Sequence, residues 1–185
     1  ADAMLGLALG DPFDDITFLL ERALMLDGDY APVHALLITV LRLGGHIREA
    51  VAAARSARRL SAGDAGLIDA IAAALADAGD PSAALQVISG HPVPDDTVSL
   101  RAAVLHLQHG DAGSALNLLD TAAPSPHARI VRGLAQESLG RPEQALERLS
   151  LLAGGQPRFG MVAHATGDLV EAAVRAGRSE VGTAV

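Results

Sequence analysis

The chain contains no cysteine and no tryptophan, and aromatic residues make up only 2% of its 185 positions. Without cysteine there is no disulfide frame and no thiol nucleophile, and a metal site has to be built from His and carboxylates. With so few aromatics and no sustained alternation of β-branched residues, no segment reads as a strand of a sandwich or barrel. Lysine is absent too: the 14 basic residues are all Arg, set against 22 acidic ones for a net charge of −8. That balance excludes a general phosphate-backbone surface, which needs basic side chains to displace counterions, so no direct nucleic-acid contact is expected. No apolar run approaches ~18 residues, so no membrane span is expected. The opening ADAMLGLALGDP has no basic region and is too short for a signal peptide, which leaves a cytoplasmic location as the expectation. No GxSxG, HExxH, GxGxxG or Walker loop occurs, so neither an enzyme nor a bound cofactor is expected.

What is abundant is small and aliphatic: half of the residues are hydrophobic, chiefly Ala, Leu and Val. Such residues build thin, closely packed helices. The organising stretch is Ala31–Asp64. Val33, Leu36, Leu37, Val40 and Leu41 recur there at helical spacing and give one apolar face. Gly44 and Gly45 end that helix. A second helix is expected from about Ile47 to Leu60, with Ala50, Ala53, Ala54 and Ala57 three and four residues apart. Small residues in such a stripe let two antiparallel helices approach closely.

The rest of the chain carries copies. Gly45, Gly79, Gly110 and Gly140 follow one another at 34, 31 and 30 residues. Each is followed five residues later by alanine (Ala50, Ala84, Ala115, Ala145) and then by Val51, Leu85, Leu116 or Leu146. A helix–turn–helix unit with a period near ~34 resembles the tetratricopeptide (TPR) repeat. Pro157, 12 residues after Ala145, falls where that pattern often closes. The bulky aromatics of the pattern are replaced here by His34, Leu41 and Ala54. The expected fold class is therefore all-α: TPR-like antiparallel helix-turn-helix repeats stacked as a right-handed superhelical array of about ten or eleven helices. The array is expected to form a single domain over 1–185. Its units fall at about 1–30, 31–64, 65–95, 96–125 and 126–159, with a terminal helix at 160–177 and a tail at 178–185. A non-repetitive helical bundle is the alternative.

Breaks fall where Gly and Pro dictate. Asp2–Leu9 is expected as a helix stub, and Asp11 before Pro12 as a cap for a helix from Asp14 to Leu26. Asp14 and Asp15 fit the positive end of that helix's dipole. Gly90-His91-Pro92-Val93-Pro94 is the clearest interruption, since two prolines cannot sit inside a helix. Arg129 and Arg132 stand on an otherwise apolar face of the helix from Pro126. A last helix is expected from Gly160 to Ala176. Both ends read as cuts through an array, as in a fragment of a larger protein. Asp168–Arg178, DLVEAAVRAGR, also resembles a segment in the helical-repeat region of large LuxR-type (maltose-regulator-like) actinobacterial transcriptional regulators. That resemblance implies a sensor region; the ATP-binding and DNA-binding modules of such regulators are not in this sequence.

Seven histidines are the place to look for chemistry. His106 and His109 lie three apart on one expected helix and could share a metal with Asp80 or Asp111. The simpler reading is packing for His106 and a turn-side position for His109, and no metal site is expected. His34 occupies an aromatic-type packing slot, while His91 and His127 are expected to be solvated beside prolines. Arg48, Arg55, Arg58 and Arg59 form the one basic patch, either a solvated outer face or a contact for phosphate or an acidic peptide.

The TPR resemblance implies a partner segment held along a concave surface lined by first helices. The expected lining is Thr39, Arg42, Asp69, Ala73, Asp77, Val104 and Gln108, with Arg55 and Arg59 on the outer side. The family's Lys/Asn clamp for a C-terminal carboxylate is not expected, as lysine is absent and Asn117 is the only asparagine. An apolar groove taking an amphipathic segment fits better, with Asp69 and Asp77 favouring a basic or neutral partner. The functional expectation is a non-catalytic protein–protein interaction or sensor module, with a protein or peptide segment as partner and a place in a transcriptional regulator. The alternatives are a general assembly scaffold of TPR type and a small helical metal-dependent enzyme.

Overall fold

The computed structural model describes residues 13–61, 63–91, 95–153 and 172–178 of the chain. Among these, every regular element is helical and no strand occurs. The helices are α1 (Phe13–Leu26), α2 (Ala31–Leu43), α3 (Ile47–Ala57), α4 (Ala65–Asp77) and α5 (Pro81–Ser89). They continue with α6 (Asp96–Gln108), α7 (Ala112–Thr121), α8 (Pro126–Ser138) and α9 (Pro142–Ala153). A further helical stretch occupies 172–175. The expected second helix of the best unit tightens at its end: it is α-helical to Ala57, and Arg58–Leu60 form a 3-10 turn. The expected helix stub at Asp2–Leu9, the Asp11 cap, Pro157 and most of Gly160–Ala176 lie outside the described residues.

The turn glycines repeat one backbone event. Gly45, Gly79, Gly110 and Gly140 take φ of 82°, 84°, 77° and 70°, and Gly177 takes 69°. Each donates its N–H three residues back, and the residue after it donates five residues back. Thus Gly79 N–H reaches Ala76 O at 2.9 Å and Asp80 N–H reaches Leu75 O at 2.9 Å. This pattern closes a helix end by satisfying its last carbonyls, and it needs a residue that tolerates positive φ. The next helix then starts at once. Asp80 accepts from Ala83 N–H and Asp111 from Ser114 N–H, while Pro81 supplies the fixed φ of a first helical turn. Elsewhere Asp64 caps α4 through Leu67 N–H, and Ser125 caps α8 through Ala128 N–H.

By backbone contacts the chain divides into two compact units, Ala1–Arg101 and Ala102–Val185. In the first, α1 packs on α2, α2 on both α3 and α4, and α4 on both α3 and α5. Its core is aliphatic and small, with Ile38, Ala50, Ala54, Leu67, Ile71 and Ala74 at its centre. A smaller cluster of Ile16, Leu20, Leu37 and Val40 joins α1 to α2. In the second unit α8 packs on α7 and α9, and Ile130, Ala145, Leu146 and Leu149 meet Ala172 and Ala173. The alanines five residues after the turn glycines, Ala50, Ala84, Ala115 and Ala145, are all fully buried. Arg132 has a reason for its place on α8: its Nη2 donates to the Leu119 carbonyl near the end of α7 and lies 3.5 Å from Asp120 Oδ1.

Candidate interaction surface

The expected lining residues fall in both units. Thr39, Arg42, Asp69, Ala73 and Asp77 lie on α2 and α4 of the first; Val104 and Gln108 lie on α6 within the second. On α2, Thr39 is half-buried and its hydroxyl donates to Ala35 O at 2.8 Å. Arg42 reaches across to α4, with Nε 2.6 Å from Asp77 Oδ2. Asp69, near the start of α4, is gripped from α6: Arg101 Nε lies 2.8 Å from Oδ1 and Nη2 lies 3.3 Å from Oδ2. Successive first helices are thus tied by arginine–carboxylate pairs, α2 to α4 and α4 to α6. Val104 is half-buried and Gln108 exposed.

Two readings of this surface change. Ala73 does not line it: the residue is buried, like Ala70, Ile71, Ala72 and Ala74 beside it. The cause is the place of α4, which is packed by α2, α3 and α5 and keeps only a narrow strip at the surface. Asp69 and Asp77 also do not offer free negative charge, because each already faces a guanidinium. The remaining surface on α2 and α4 is polar, close to neutral and held in place.

The histidines separate into distinct environments. His34 Nε2 lies 2.8 Å from Gly28 O and holds the loop before α2, which accounts for a polar ring in an aromatic-type slot. His106 Nδ1 lies 3.4 Å from Asp111 Oδ2, while His109 is exposed. Among the described residues no three His, Asp or Glu side chains gather as a metal would require. The Asp111 carboxyl is held below its ordinary value. The hydrogen bond from the Ser114 side chain contributes most, then the Ser114 backbone N–H, with the nearby His106 charge adding to them.

His91 departs from expectation. It is half-buried rather than solvated, and its Nδ1 is shut off from water with no hydrogen-bond partner. It follows Gly79 by 12 residues, the position that Ala57 holds after Gly45, and Ala57 is fully buried. A polar ring in a slot occupied by a methyl group one unit earlier was the sequence signal for it. His91 lines a groove with Arg58, Ser61, Ile68, Gln86 and Val87, of about 360 Å³. A second hollow of about 210 Å³ shares Arg58 and is lined by Ala54, Arg55, Ile71, Leu75, Asp80 and Ala83. Both lie on the side of Arg55 rather than on the Thr39–Arg42 strip. Arg59, one helical turn from Arg55, pairs with Asp29 at 3.0 Å in full solvent.

No family model matches the sequence, and no curated protein matches it. Solved structures do. A tetratricopeptide repeat protein from Parabacteroides merdae superposes with a TM-score of 0.70 at 15% identity, over 99% of this chain and 74% of that one. The human IFIT1 dimer, solved with PPP-AAAA, gives a TM-score of 0.75 at 17% identity, over 92% of this chain and 44% of that one. At such identities the likeness speaks for architecture alone. With the five identical glycine turns and the all-helical elements, it makes this chain a TPR-like helical repeat.

Proposed function

We propose that the chain is a non-catalytic protein-interaction module that holds a partner segment against the first-helix strip of α2 and α4. The observation that carries the reading is the pair of cross-helix ion pairs, Arg42–Asp77 and Arg101–Asp69. They fix the spacing of successive first helices, so that a partner meets a preformed surface and ordering it on binding costs little. Thr39, Arg42, Asp69 and Asp77 are the contact residues of this proposal, with Val104 and Gln108 serving on α6. The near-neutral charge of the strip favours a polar or amphipathic segment over a strongly charged one. The same proposal places the module in the cytoplasm.

The finer part of the proposal is a sensor role within a transcriptional regulator. It rests on the resemblance of the Asp168–Arg178 segment to LuxR-type regulators. The sequence encoded on either side tests it, since an ATP-binding module before and a helix-turn-helix after are required. A general assembly scaffold is the outcome if neither is found.

The interaction itself is tested by placing a photo-crosslinking residue at Thr39 or at Arg48 and irradiating in cells. Thr39 should capture a discrete protein partner, and Arg48, exposed on α3, should not. Capture from Arg48 alone moves the surface off the first helices.

A further inference from the structure

We propose that the groove shared by α3, α4 and α5 is a binding site for a small amphiphilic anion, a ligand with an apolar body and one carboxylate or phosphate head. The inference goes beyond the first-helix strip and does not depend on it. All the residues involved belong to the first compact unit.

The floor is apolar. Ile68 and Val87 form it at one end, and Ile71 and Leu75 at the other, with Arg58 common to both hollows. At about 360 Å³ the larger hollow reaches the size of small-molecule sites, whose walls are mostly apolar with a few polar groups that fix orientation. Those polar groups are present. Arg58 and Arg55 stand at the rim and make no ion pair, whereas Arg42, Arg59, Arg101 and Arg132 each face a carboxylate. Ser61 donates its hydroxyl proton to Arg58 O, which leaves its oxygen free to accept, and Gln86 brings an amide. The one carboxylate in the lining, Asp80, accepts the cap bond from Ala83 N–H.

His91 decides the reading. A ring nitrogen shut off from water with no partner is costly to fold around, and the cost is removed when a ligand oxygen accepts from Nδ1–H. The proton can sit on Nδ1 because no neighbour holds the tautomer through that atom. In a chain of net charge −8, two unpaired guanidinium groups above an apolar floor select for an oxyanion on a hydrocarbon body. Arg58 would grip the head with His91, and Ile68 and Val87 would cover the body.

Octanoate and octyl phosphate are suitable probes, with octylamine as the control for the apolar body alone. Calorimetric titration of the full chain should show one site for the two anions and none for octylamine. Arg58→Ala should weaken both anions about tenfold or more, the loss expected for one charge-assisted contact. His91→Leu should weaken them as well. Arg48→Ala, which removes the same charge elsewhere on α3, should leave both affinities unchanged. Amide shifts at Ser61, Gln86 and Gly90 in labelled protein should follow the titration. Arg58 is exposed, so its variant should keep the wild-type melting temperature, which makes a loss of affinity attributable to the site. Equal affinity in Arg58→Ala and Arg48→Ala, or octylamine binding as tightly as octanoate, overturns the proposal. So does binding of an acidic peptide with neither alkyl anion bound.

Discussion

Gly133 of α8 faces Leu149 of α9 so closely that a Cβ built on the glycine would lie 2.8 Å from Leu149 Cγ and 2.9 Å from Cδ2. Ordinary carbon contacts are about 3.5–4.0 Å. Cγ is the branch point of the leucine and cannot swing aside as a chain end can. Gly133→Ala gains about 1 kcal/mol of helix propensity, but it overpacks a buried contact, which typically costs about 1–3 kcal/mol. The overpacking wins: the variant should be less stable than wild type. Adding Leu149→Ala should then cost less than it does in the wild-type background. Additive losses in chemical denaturation would show that the two residues do not meet.

Ala84 makes the same case from the side of the repeat. It is fully buried on α5, the helix packed against α4, as are Ala50, Ala115 and Ala145 on their own helices. Ala84→Leu adds three carbons where no surface is left and should cost roughly 1–3 kcal/mol. A melting temperature several degrees lower is expected, since about 1 kcal/mol shifts a chain of this length by a few degrees. Ala52→Leu, on the exposed side of α3, should leave it unchanged.

The repeat was legible because its signals are local. A glycine that must take positive φ, and an alanine five residues later, do not depend on what packs around them, so Gly45, Gly79, Gly110 and Gly140 could be read from spacing alone. The surface was harder to read, because exposure depends on neighbours from other helices. Ala73 shares a helix with Asp69 and Asp77, and nothing in α4 itself says that α2, α3 and α5 enclose it. The pairing of Asp77 with Arg42 and of Asp69 with Arg101 links residues 35 and 32 apart. At one repeat's separation a charge pattern within a single helix cannot show such partners. His91 was misread for the opposite reason: its proline neighbours spoke for a loop, while its register from Gly79 spoke for a buried slot.

The Arg101–Asp69 pair should contribute measurably, and the Arg59–Asp29 pair should not. Arg101 meets both carboxylate oxygens of Asp69, and the two side chains keep only 27% and 24% of their exposure. Arg59 and Asp29 keep 72% and 73%, where water screens the charges and the side chains lose freedom to meet. A double-mutant cycle on Arg101→Ala and Asp69→Ala should give a coupling of about 0.5–1 kcal/mol. The corresponding cycle on Arg59 and Asp29 should give a value near zero. Equal couplings would mean that two-point geometry and partial burial do not matter at this surface.

Asp111 makes one component of stability dependent on pH, and the sign follows from its partners. Its carboxyl is held below the ordinary 3.8, first by the hydrogen bond from the Ser114 side chain, then by the Ser114 backbone N–H, with His106 adding a favourable charge. A folded value below the unfolded one means that folding favours the ionised form. The contribution is therefore complete above about pH 4 and is lost as the pH falls through the lower folded value. Titration of the Asp111 carboxyl by carbon NMR should show a midpoint below 3.8. Ser114→Ala should raise that midpoint without restoring it fully, because the backbone N–H at 3.0 Å remains. His106→Ala should raise it by less. Asp111→Asn keeps an acceptor for the cap and removes only the charge. Its melting temperature should lie below that of wild type near neutrality, and the gap should close once both proteins are below the folded value. Melting curves that keep a constant gap down to the most acid samples would place the Asp111 charge outside the folding equilibrium.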